Sequence, residues 1–297
     1  MNVPLHPPRR RTTAARLTEP MKRAASFFAI AASLAVATTG THAGNGAAGI
    51  TSATAKKPAI FSAYLGGINV PPQFFSPITG CPQWIGDDGM PLVMSVPIKA
   101  SSLRPDRFRV ISRAGVESTP NCATLRPADE TNELHTILLA GPIADLADLP
   151  AYVVIVGPVE DVRGNVLEGA VSPPVTIGIR SGPSLVHAFV LNKPDGPPGS
   201  SRRVIQMVWQ GGVTGPNGVE VGTEQLNAIR IIDCNGNAHT PLAFDDLGDG
   251  DNYLELHLPA GVVAERVEVA AGYFFDPLNQ PNPTTAVQVK KGCRSDS

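Results

Sequence analysis

Four aspartates and an asparagine stand within eight positions: Asp245, Asp246, Asp249, Asp251 and Asn252, with Gly248 and Gly250 between them. Calcium takes six to eight hard oxygen ligands, and a carboxylate loop that glycines let curl can supply many of them. The spacing is not that of an EF-hand, because counting from Asp245 puts Leu247 at the third position and Leu256 at the twelfth. The same residues also suit a solvated turn, since Asp, Asn and Gly favour turns for their own backbone reasons. Asp233-Cys234-Asn235-Gly236-Asn237 flanks the same expected hairpin, a second oxygen-rich segment near the first.

The remaining polar clusters point to less. Asp161-Val162-Arg163-Gly164-Asn165 reads as a hairpin turn with Gly164 and Asn165 in the left-handed region. Asp87 and Asp88 are neighbours, whereas glycoside hydrolysis needs two carboxyl groups facing each other across a cleft. His135, His187, His239 and His257 show no metal spacing, although His135 and His257 fall in corresponding strands. Gly-x-Ser-x-Gly and His-Glu-x-x-His are both missing from the sequence. Gly211-Gly212-Val213-Thr214-Gly215-Pro216-Asn217-Gly218 has no βα context and no phosphate-loop lysine, and reads as a long hairpin tip. Trp209 precedes it, and Tyr273, Phe274 and Phe275 are candidates to lie near it. An exposed aromatic there would suit carbohydrate or peptide binding; a core tryptophan is the plainer reading.

Elements must position these groups, and composition says which kind. Among 297 residues Gly and Pro number 29 each and charged residues are 17%, a profile of short strands and turns. A net charge of -2 gives no electrostatic footprint for nucleic acid. Apolar runs of four to six residues recur between turn residues: Leu92–Val96, Phe108–Ile111, Leu134–Leu139, Tyr152–Val156, Val175–Ile179, Leu185–Val190, Val204–Trp209, Ala228–Ile232, Tyr253–Leu258 and Arg266–Ala271. The best helical candidate is Gly141–Leu149, two turns at most.

Residues 1–43 are expected to be a leader and export signal. Met21-Lys22-Arg23 gives a basic start, Ala24–Thr38 an apolar run, and Thr41-His42-Ala43 small residues for cleavage. The run is shorter than the ~20 residues that span a bilayer, which argues against a transmembrane anchor. Either Met1 or Met21 serves as the start. Residues 44–57 read as a flexible leader. Four cysteines remain, Cys81, Cys122, Cys234 and Cys293, an even number suited to disulfides in an exported chain. Three pairings exist. Cys81–Cys122 with Cys234–Cys293 is favoured because each then lies inside one expected domain; a zinc site would want closer cysteine pairs.

An internal repeat supports two domains, 58–181 and 182–297. Phe108-Arg109-Val110 matches Ile229-Arg230-Ile231, Gly115 matches Gly236, Thr119-Pro120 matches Thr240-Pro241, and Ala140-Gly141 matches Ala260-Gly261.

Residues 85–180 resemble the bacterial Ig-like domains of surface and secreted proteins. The resemblance rests on Leu92–Val96, Ser101-Ser102-Leu103, Phe108-Arg109-Val110, Gly115, Tyr152–Val156 and, most specifically, Val159-Glu160-Asp161-Val162-Arg163-Gly164-Asn165-Val166-Leu167. The second domain lacks that late segment and has Tyr273–Asn279 in its place. The resemblance implies an all-β fold of two tandem Ig-like β-sandwich domains, used as spacer, adhesion or ligand-presenting modules. The expectation is a non-catalytic, secreted or periplasmic binding or presentation protein. Its partner would be an unknown extracellular or envelope ligand, with no nucleic acid, and with no transmembrane segment once the signal is removed. Calcium would be the one cofactor. The alternative is a secreted hydrolase whose catalytic residues are scattered.

Overall fold

The computed structural model describes residues 58–70, 79–81, 87–245, 247–248 and 250–293, all within one compact unit from Ser52 to Ser297. The expected signal and leader lie outside the described residues.

The N-terminal half runs β1 (Ile60–Leu65), β2 (Gly67–Val70), β3 (Asp87–Met94), β4 (Phe108–Ser112), β5 (Glu117–Ser118), β6 (Cys122–Thr124), β7 (Thr136–Gly141), β8 (Pro150–Ile155) and β9 (Thr176–Ile177). The C-terminal half runs β10 (Leu185–Asn192), β11 (Ser200–Trp209), α1 (Thr223–Asn227), β12 (Ile229–Asp233), β13 (Ala238–His239), β14 (Ala243–Asp245), β15 (Tyr253–Pro259), β16 (Ala264–Val269) and β17 (Thr285–Lys290).

The two halves pair their strands alike. One layer of the first is β6-β7-β3-β1, with β2 on β3 and β9 parallel to β1; the other is β5-β4-β8. One layer of the second is β14-β15-β11-β10 and the other β13-β12-β16-β17. There β17 pairs β16 through Thr285–Gln288 and then pairs β10 in parallel through Val289 and Lys290, joining the layers. Phe108 opens β4 as Ile229 opens β12, and Glu117 opens β5 as Ala238 opens β13, the spacing of the sequence repeat.

Each half closes its own core between its layers. Met90, Leu92, Ile137 and Leu139 meet Phe108, Val110, Val153 and Ile155 in the first. Ile205, Met207, Leu254 and Leu256 meet Ile229, Ile231, Val267 and Val269 in the second. Strands on the thin layers alternate as a half-buried strand should: Phe108 and Val110 point in, Arg109 out. On β7 and β15 the alternation fails, because all six residues of β7 and the first six of β15 are buried. These strands are covered on both faces.

Cys81 bonds Cys122 (Cα–Cα 6.2 Å) and Cys234 bonds Cys293 (Cα–Cα 5.4 Å), one bridge in each half. The two disulfides fit an oxidising compartment. No helix among the described residues is long and apolar enough to cross a membrane.

Two local readings are corrected. Gly141–Leu149 is not helical. Asp88 Oδ2 accepts the N–H groups of Ile143 (3.1 Å) and Ala144 (2.7 Å), and that link holds the segment in bends. Gly211–Gly218 is not a hairpin tip, since β11 and β12 belong to different layers. Thr214 and Phe275 exchange both backbone hydrogen bonds at 2.9 Å, and Asn279 Oδ1 accepts the N–H of Asn217 at 2.7 Å. The loop is pinned along its length.

Candidate functional site

Among the described residues one aspartate-led turn occurs three times. In Asp161–Asn165 the carboxylate Oδ1 accepts the N–H groups of Arg163 and Asn165, and Oδ2 accepts from Asn165 Nδ2 at 2.8 Å. Asp233 does the same with Asn235 and Asn237. Asp276 Oδ1 accepts from Leu278 and Gln280. The fourth residue has positive φ in every copy: Gly164 at 84°, Gly236 at 83° and Asn279 at 58°. Only glycine and asparagine enter that region readily, so the pattern is a turn device. Asn165, expected in the left-handed region, is not there. Thus Tyr273–Asn279 replaces the late segment of the first half in sequence but ends in the same turn. At Asp161 burial pushes the carboxyl up, but the hydrogen bonds from Asn165 and Arg163 outweigh it and hold it low. At Asp233 the imidazole of His239, 2.9 Å away, is the main cause of a lowered carboxyl.

The third copy does something more. Its fifth residue is Gln280, and Asp276 Oδ2 accepts instead from the hydroxyl of Tyr64, on β1 of the other half, at 2.7 Å. Both residues are almost wholly buried. The tyrosine ring lies where side chains on Gly66 and Gly211 would collide with it, and its hydroxyl lies 3.0 Å from a Cβ built on Gly178. Burial first, then Asp276, keeps the Tyr64 hydroxyl protonated far above the usual phenol range.

From this latch a buried seam runs between the halves. Asn252 Nδ2 donates to Thr136 Oγ1 (3.0 Å) and to the Trp209 carbonyl (2.7 Å). Tyr253 Oη accepts from Thr136 Oγ1 (3.1 Å) and from the His135 N–H (3.0 Å). Val93 and Ala128 pack with Val208 and Tyr253 beside them. Beyond lies an aromatic group of Phe61, His135, His187 and Phe189, with the two imidazole centroids 5.4 Å apart. His135 Nδ1 lies 3.0 Å from the Met94 carbonyl, and His187 Nε2 is buried with no hydrogen-bond partner. Burial lowers the His135 pKa to about 4 against the Met94 bond, with Lys290 adding to the fall. Burial, then His135 and Lys290, lowers His187 to about 3. Ser62 Oγ is likewise buried and makes no hydrogen bond. A nucleophile and its base must be linked within ~2.6–3.2 Å, and these two groups are not linked to each other.

The described calcium candidates, Asp245, Asp251 and Asn252, are turned to different partners. Asp246 and Asp249 lie outside the described residues. Asp245 Oδ2 pairs with Lys193 Nζ at 2.8 Å, and the same ammonium meets Glu255 Oε2 at 2.6 Å. Partial burial works against the charge on Lys193, but the two carboxylates outweigh it and keep the group protonated. His257 Nε2 stands 3.4 Å from Asp245 Oδ2, and Gly196 lies against its other nitrogen. Asp251 Oδ1 accepts the Tyr253 N–H at 2.7 Å, and Asn252 turns into the seam. Among the described residues no group of three or more His, Cys, Asp or Glu could hold a metal ion. Trp209 is in the core, 4.6 Å between ring centroids from Phe274. Asp87 is on β3, and Asp88 serves the bends already described.

Sequence reading did not find Tyr64, Asp276 or the His135–His187 pair. Their partners are 50 to more than 200 positions away, and only Asp276 carried a local signal, an asparagine three residues on.

No protein-family model matches the chain, and no curated protein matches it. Solved structures similar to it include domains 1-6 of the surface layer protein SbsC, at 12% identity and a TM-score of 0.27 over 80% of this chain and 26% of that one. The S-layer protein rSbsC(31-844) matches at 14% and 0.27 over 79% of this chain and 26% of that one. The N-terminal part of the bacterial S-layer protein SbsC matches at 11% and 0.26 over 79% and 44%. The chain therefore spans less than half the length of any of these three, and likeness at such TM-scores carries no argument about its fold or function.

Proposed function

We propose that the chain is an exported, non-catalytic protein of two immunoglobulin-like β-sandwich domains, 58–181 and 182–297, that binds or presents an extracellular or envelope ligand as one rigid pair. The observation that carries this reading is the seam. Tyr64, Thr136, Tyr253, Asn252 and Asp276 have polar atoms committed to one another across the two halves, which supports a stiff platform. The Ig-like assignment is supported by the pairing order, four strands facing three or four, with the first strand parallel to the last in each half. Export is supported by the signal pattern at 21–43 and by the two disulfides.

The test is retention of the purified exported chain on cell-wall and outer-membrane fractions, alongside ester, peptide and glycoside substrates. Saturable retention without turnover is expected. Turnover by the pure protein would overturn the reading in favour of a secreted hydrolase, and retention by no fraction would reduce the chain to a structural envelope component.

A further inference from the structure

His135 and His187 stand on opposite sides of the seam, both more than nine-tenths buried. Phe61 comes from β1, the Met94 carbonyl from β3, Thr136 from β7, Phe189 from β10 and Tyr253 from β15. The charged group acting on both imidazoles is Lys290, on β17, a cation. The carboxylates nearby, Glu133 and Asp251, act on Tyr253. Two imidazolium ions here would stand beside each other and beside Lys290, in a largely aromatic setting and without a paired anion. Burying unpaired like charges is among the costliest things a fold can do.

We propose that the His135–His187 pair is an acid-sensitive latch whose protonation opens the seam while each half stays folded. The two halves have separate cores and one disulfide each, so the seam is the part that yields first. In the closed form both imidazoles are neutral, with pKa values lowered from 6.5 to about 4 and about 3. In the open form they take protons at the ordinary value. The closed form is therefore fully favoured above pH ~6.5 and loses ground as pH falls towards ~3, where the dependence levels off. The device is independent of what the protein binds.

The experiment places one label on each half, at Val116→Cys and Leu242→Cys, both exposed positions, and measures their separation from pH 7.5 to 4. Among the described residues no native cysteine is free to compete. The separation is expected to grow reversibly by pH 4, with a steepness approaching two protons and with an unchanged far-ultraviolet spectrum. His187→Phe, which keeps the aromatic packing, is expected to cut the steepness to about one proton. Imidazole titration by NMR of the unaltered protein gives a second reading: neither histidine should protonate ahead of the opening. A seam still closed at pH 4, an opening that His187→Phe leaves unchanged, loss of secondary structure along with it, or either imidazole titrating near 6.5 in the closed form overturns the proposal.

Discussion

The hydroxyl of Tyr64 reaches Asp276 Oδ2 at 2.7 Å across a sequence separation of 212, tying the first strand of one half to a turn of the other. A hydrogen bond to a buried charge contributes about 1.5–3 kcal/mol. Tyr64→Phe keeps the ring in its glycine cradle and should cost about 2 kcal/mol in denaturant unfolding. The variant also allows a rescue. In the other two copies of the turn an asparagine at the fifth position supplies Oδ2 with a donor. Gln280→Asn in the Tyr64→Phe background should recover about 1 kcal/mol, and in the native background should recover none.

Gly182 sits at the join of the two halves with no room for a side chain. A Cβ there would stand 2.3 Å from the Pro281 carbonyl oxygen and 2.4 Å from that of Gln280, both backbone atoms. Gly182→Ala should destabilise by about 1–3 kcal/mol, the usual result of overpacking. Gly164→Ala tests the opposite case, open space at φ 84°, and should cost about 1 kcal/mol for backbone strain alone. Thermal melts of the two variants decide whether the join is a tight contact or a loose tether. A melt for Gly182→Ala equal to native would make it a tether.

Asn252 separates the calcium reading from the seam reading. Asn252→Ala leaves the Trp209 carbonyl and Thr136 Oγ1 short of a buried donor, a loss of about 1–3 kcal/mol. We expect melts of the native protein in calcium and in EDTA to coincide, because Asp245 is held by Lys193 and Asn252 faces inward. A ligand at ~100 times its dissociation constant would add about 2.7 kcal/mol. A rise of that size, abolished by Asp251→Asn, would place the ion in the loop after all.

Each disulfide closes a long loop, with 41 and 59 residues of separation. Replacing either pair by serine should lower stability by about 2–5 kcal/mol. Loss in one half should leave the other half's amide protection in hydrogen exchange largely intact, since the cores do not mix. Simultaneous loss of protection in both halves would contradict the two-core arrangement.

The strands with an apolar run and a turn on each side were legible: β4, β7, β8, β10, β11, β12, β15 and β16 all lie where Phe108, Leu134, Tyr152, Leu185, Val204, Ala228, Tyr253 and Arg266 begin such runs. β17 escaped because Thr285, Val287, Gln288 and Lys290 mix polar and apolar residues at a partly exposed position. The seam could not be read at all. Thr136 on β7 and Tyr253, Glu255 and His257 on β15 alternate with leucine and isoleucine as outward residues of a strand do, and outward residues ordinarily meet water. Here that face is covered, by the other half along Thr136 and Tyr253, and by Lys193 and Gly196 over Glu255 and His257. The acidic loop is ambiguous for a different reason. Its composition is that of a metal cage and of a turn alike, and only partners such as Lys193 distinguish the two.

Having a seam built from histidine, threonine, serine and tyrosine has a consequence for biogenesis. A chain delivered N-terminus first completes the β1–β3–β7 layer before residues 185–290 exist to cover it, and contacts between segments this far apart close last. An all-aliphatic face would be sticky during that interval. Ser62, His135 and Thr136 on it let the unfinished molecule wait in water without self-association. On this account, Thr136→Val with His135→Leu should aggregate more during refolding at neutral pH even if the finished fold melts no lower; refolding yields equal to native would refute it.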